Sequence, residues 1–121
     1  MNERGSASIL GLALVLVIIG TGLAVVAATQ LVTARTQAVL AADAAALAAA
    51  PMTFPPLAEV TPWTAASDLA AANGAALVAC ECPTIASFEP RAVEVEVRLR
   101  TRVIVVGEVD VRAASRAEFV P

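Results

Sequence analysis

Cys80 and Cys82 come nearest to chemistry in this chain. One residue separates them, so on a strand both thiols share a face. A dithiol oxidoreductase wants two intervening residues at a helix start. The pair reads as two unpaired or structurally paired thiols. If the segment lies outside a membrane, a local disulfide or an intermolecular bridge is open to it, and a thiol-redox accessory role stays as a third reading. The rest of the inventory is poor in reactive groups. There is no His, so the serines have no general base beside them and the usual metal sites are hard to build. Neither a glycine-rich phosphate loop nor an acid pair in an apolar pocket is evident. The expectation is no catalytic residue, no metal, no cofactor and no small-molecule substrate. A net charge of −3, with all eight cations Arg, argues against nucleic acid as a partner.

The elements that would hold these residues are unequal. From Gly5 to Ala34 the chain carries no charge, and such a run is a candidate membrane span. As a helix, Ile9 to Val32 covers about 36 Å, enough for a hydrocarbon core of about 30 Å. The β-branched run Val15, Val17, Ile18, Ile19 suits lipid better than water. A buried core helix is the competing reading, but the remaining chain is small for enclosing this segment. Gly20, Ala24 and Ala28 fall at i, i+4 and i+8, a small-residue stripe on which another helix could pack; Gly and Ala are also simply common in spans. Arg4 and Arg35 flank the run and offset one another, so the charge rule only modestly favours a cytoplasmic N-terminus. A cleaved secretory signal is the alternative, with Val26-Ala27-Ala28 acceptable to a signal peptidase.

Nothing from Arg35 to Ala50 breaks a helix, and Ala has the highest helix propensity. Pro51 is expected to stop it. One continuous helix over residues 5–50 follows, with an Ala-rich stalk beyond the span. Leu40 and Leu47 share a face with Ala44 between them, and Asp43 sits at the stripe's edge. So little bulk favours close approach of a partner, either the chain's own sheet or another copy. Asp43 reads as a solvated carboxylate or as an ion-pair partner for an Arg.

Beyond a Pro-rich loop, Thr61-Pro62-Trp63 opens a short helix that Asn73-Gly74 closes. Residues 75–80 read as a short strand. Val93, Val95, Val97, Leu99, Thr101 and Val103 then alternate with charged residues, and Val109 to Phe119 repeat the pattern. Folded antiparallel about Val105, the two runs place Arg102 opposite Glu108, Arg100 opposite Asp110 and Glu94 opposite Arg116. Arg98 opposite Arg112 is the one clash. The charged face reads as solvated, with a docking surface as the other option.

The fold class expected is α+β: a long N-terminal transmembrane helix continuing into an Ala-rich stalk, a short helix, and an antiparallel sheet of about three strands. The segments are 1–34 (leader and span), 35–50 (stalk), 51–60 (Pro-rich loop) and 61–121 (outer domain).

Three stretches carry a family resemblance: ERGSASILGLALVLVIIGTGLAVVAA, then RTQAVLAADAAALAAA, then the valine-rich hairpin ending VRAASRAEF. Together they resemble the TadE/TadG-like pilus-assembly family, its small actinobacterial members above all. The resemblance implies a minor pilin or pseudopilin of a Flp-type tight-adherence (type IVc) pilus or a related secretion system. Such a protein is a non-enzymatic single-pass protein of the cytoplasmic membrane, with its C-terminal domain outside. Its implied partners are the lipid bilayer and other pilus subunits, or itself, through helix packing. The resemblance also implies a prepilin-peptidase junction, which Gly5-Ser6 matches. Pilin-type subunits carry Glu at the fifth residue after that cut; here Leu10 stands there. A secreted small binding domain released by signal peptidase is the alternative function.

Overall fold

The computed structural model describes residues 3–121, with side chains from residue 5 onward. Helix α1 runs unbroken over Glu3–Met52, about 75 Å at the standard rise. Helix α2 follows at Pro62–Ala72, then strands β1 (Ala76–Glu81), β2 (Arg91–Val103) and β3 (Gly107–Phe119). The strands form one antiparallel meander in the order β1-β2-β3. The architecture is α+β, with an apolar N-terminal helix long enough to span a membrane.

The first half of α1 touches little of the chain, while the second half is the floor of its core. Ala38, Ala41, Ala42, Ala45, Ala46 and Ala49 are fully buried, at the 3-and-4 spacing of one helix face. Against them lie Val93, Val95 and Val97 of β2, also fully buried, with Leu99, Val111, Ala113 and Ala117 beside them. The fit is asymmetric: the helix contributes only methyl groups and the sheet contributes bulk. Interiors pack near crystal density, so a helix of alanines draws the valines of a facing sheet close to its axis. Helix α2 completes the layer, with Ala66 and Ala70 buried and contacts to both α1 and β1. Thus the stalk and the outer domain share one core.

Local signals set the boundaries. The Thr61 hydroxyl accepts from the Thr64 N–H, Pro62 occupies the first turn, and Gly74 leaves α2 at φ +76°. At the end of α1 one expectation is corrected: Pro51 does not stop the helix, which continues to Met52. A proline this close to a C-terminus removes one intrahelical bond. The chain then tightens into three-residue turns, with N–H bonds from Thr53 to Ala50 O and from Phe54 to Pro51 O. The Thr53 hydroxyl also donates to Ala50 O at 2.7 Å.

The β2–β3 register has Arg100 opposite Asp110, Arg102 opposite Glu108, Glu94 opposite Arg116 and Arg98 opposite Arg112. The clash at Arg98–Arg112 is relieved on the diagonals: Arg98 reaches Asp110 at 4.0 Å and Arg112 reaches Glu96 at 3.5 Å. Arg100 Nε donates to Asp110 at 3.1 Å. That bond, and then the surrounding guanidinium charge, holds the Asp110 carboxyl below its ordinary range; Asp110 in turn raises Arg100.

Candidate functional site

Two surfaces stand out: a bare apolar helix, and the place where the sheet meets it. From Ile9 to Val26 the large side chains of α1 are exposed, Ile9 and Leu10 at 71% each. None of the most apolar window of this helix is buried within the protein. Water-facing surfaces rarely leave an apolar patch this large. Polar groups inside the stretch are satisfied locally: the Thr21 hydroxyl donates to Val17 O, and Thr29 to Val25 O at 2.9 Å. Hydroxyls bonded to the preceding turn need no water, as hydrocarbon surroundings require.

The small-residue stripe lies in this bare half. Gly20, Ala24 and Ala28 are exposed, and a Cβ added at Gly20 would meet nothing within 4 Å. Gly20 is open to a partner from outside, while Ala28 borders a groove beside Val103 and Val106. Gly5 and Ser6 lie in α1 with exposed surfaces. Met1 and Asn2 of the leader lie outside the described residues.

In the stalk, the sheet takes the alanine face and leaves Leu40 and Leu47 outward, at 60% and 67% exposure. Of the two partners open to the stalk, the chain's own sheet takes the alanine face, and the leucine stripe faces away from it. Asp43 meets a hydroxyl rather than a guanidinium: its Oδ1 accepts from Ser115 Oγ. Cys80 and Cys82 form a disulfide, half-buried against the core at the end of edge strand β1. No free cysteine is present among the described residues.

Three contacts were not anticipated from the sequence. Gln30 Oε1 accepts the backbone N–H of Ile104 at 2.8 Å, fixing the β2–β3 turn to the helix. Arg35 donates to Arg112 O, fixing β3 one turn further along. Arg91 is buried; its guanidinium donates to Thr53 O at 3.0 Å and to Ile85 O and Ser87 O, and lies over the Phe54 ring. Strand parity could have found it, since Arg91 falls on the inward face with Val93 and Val95.

Residues 5–51 match the family of Flp pilus-assembly TadE/G-like proteins, designated Tad. The matched segment covers the bare half of α1 and the alanine face, ending where the helix ends. No curated protein and no solved structure gives a match.

Proposed function

We propose that this chain is a non-enzymatic, single-pass membrane component of a Flp/Tad pilus or related secretion machine, of minor-pilin or pseudopilin type. Residues 1–34 are leader and span, residues 35–50 the stalk, residues 51–60 a connecting loop, and residues 61–121 the domain carried outside the cytoplasm. The observation that carries this reading is the division of the matched helix: its first half is bare and apolar, its second half is clamped under a sheet. The mechanism is assembly. The bare half enters the bilayer, its Gly20–Ala24–Ala28 stripe lets a neighbouring helix approach closely, and the leucine face at Leu40 and Leu47, on the opposite side of the helix, is open to a second neighbour above the membrane.

Carbonate extraction of native-host membranes tests the anchor: the full chain stays in the pellet, and release to the supernatant contradicts it. Disulfide cross-linking through Ala24→Cys tests the packing. A cross-linked species from membranes supports it, whereas Leu14→Cys, off the stripe, gives less.

A further inference from the structure

The turn between β2 and β3 is built from three consecutive aliphatic residues, Ile104, Val105 and Val106, exposed at 45%, 80% and 66%. Turns that face water draw on Gly, Asn and Asp. Val105 also holds φ +73°, a left-handed conformation costly for a β-branched side chain. Glycine would relieve that strain. A valine exposed this far gains little within the fold to offset that strain.

We propose that this turn enters the interfacial layer of the bilayer beside the span, as a second membrane contact. The proposal rests on the reading of α1 as a span. Depth supports it. The Ile104 N–H bonds Gln30, and Val103 and Val106 flank a 250 Å³ groove with Ala27, Ala28 and Leu31 of the helix. About 20 residues cross the hydrocarbon, so a span entering it at Ile9 leaves it near Ala28, about 3 Å along the axis from Gln30, with residues 29–34 in the interfacial layer. The turn is thus level with the membrane boundary.

The order of groups agrees with that placement. Immediately outside the apolar turn come Arg102 on β2 and Glu108 opposite it on β3. Arg102 lines the groove on the other flank with Thr29, Gln30 and Thr33. In that placement its guanidinium is at the height of lipid phosphates. Apolar tip, then charge, is the sequence of a bilayer boundary read outward. The occupant is lipid rather than a protein because the turn continues the apolar surface of the bare helix.

The test uses the full chain in phosphatidylcholine vesicles whose acyl chains carry bromine at shallow or deep positions. In a Trp63→Phe background, Val105→Trp and, separately, Val106→Trp report the turn, and Leu16→Trp reports the span. The expected result is blue-shifted emission from both turn variants, quenched most by shallow bromines, with Leu16→Trp quenched most by deep ones. Water-like, unquenched emission at both turn positions while Leu16→Trp is quenched overturns the proposal and leaves the span standing. If Leu16→Trp is unquenched too, the span fails and the proposal with it. Retained thermal unfolding in either turn variant shows that the reading comes from folded protein.

Discussion

Ser115 Oγ donates to Asp43 Oδ1, joining β3 to the middle of α1 across 72 positions of sequence. The contact lies at the edge of the helix–sheet interface, where Asp43 is exposed. Such a bond contributes about 1 kcal/mol. Asp43→Ala and Ser115→Ala should each lower stability by about that amount, and the double variant by no more than the larger single loss. Thermal unfolding in detergent measures all three. Additive losses would mean that Asp43 acts through something other than Ser115.

The alanine face should reject bulk. Ala41→Leu or Ala45→Leu forces methylenes between helix and sheet and is expected to cost at least about 1–3 kcal/mol. Leu40→Ala and Leu47→Ala, on the exposed face, should stay within about 0.5 kcal/mol in the isolated protein. Urea denaturation separates the two groups. Reduced cross-linking in membranes by the leucine variants, with unchanged stability, would place the neighbour's contact on that face.

Arg91 closes the lower end of the core. Its removal takes the guanidinium donor from the carbonyls of Ile85 and Ser87 and one of two donors from Thr53 O, which keeps the Ile85 N–H. Arg91→Ala is expected to cost about 2–3 kcal/mol and to open residues 82–90 to proteolysis. Arg91→Lys should recover only part, because an ammonium cannot present the planar fork. Limited proteolysis with mass detection reads the loop directly.

Asp110 gives the outer sheet face a pH dependence. Its carboxyl is held below the usual range by Arg100 first, so the folded state favours the ionised form. The resulting stabilisation is complete above the unfolded carboxylate pKa, about 3.9, and is lost as pH falls through the lower folded value. Acidification from neutral to pH ~3 should therefore destabilise the parent more than Asp110→Asn. Salt should shrink the difference, because the pair is exposed.

Much of this was legible as strand parity. Alternation alone placed Arg100 against Asp110 and Arg102 against Glu108. It over-stated the conflict at Arg98 and Arg112, because only directly opposite positions were compared and long guanidinium side chains reach the diagonals. The same parity puts Arg91 and Ser115 inward. Their partners come from the Thr53 turn and from α1, which only tertiary closure brings near. In the stalk, sparse bulk pointed to a close partner, and the chain's own sheet is one, on the alanine face. Hydropathy ranks Leu40 and Leu47 above the alanines, but the buried face was decided by the bulk of the opposing valines. Pro51 reads as a stop, yet near a helix end its missing N–H costs little.

The unbroken α1 has a mechanical consequence. No hinge separates the bare half from the half beneath the sheet. In the proposed placement, residues 34–52 lie beyond the span and rise about 27 Å. A 10° change of helix tilt would sweep the far end by about 5 Å and carry α2 and the whole sheet with it. The helix is a lever with the domain fixed to its outer arm. In the proposed membrane placement, a force or rotation applied to the bare half would reach the sheet with no joint in α1 to absorb it.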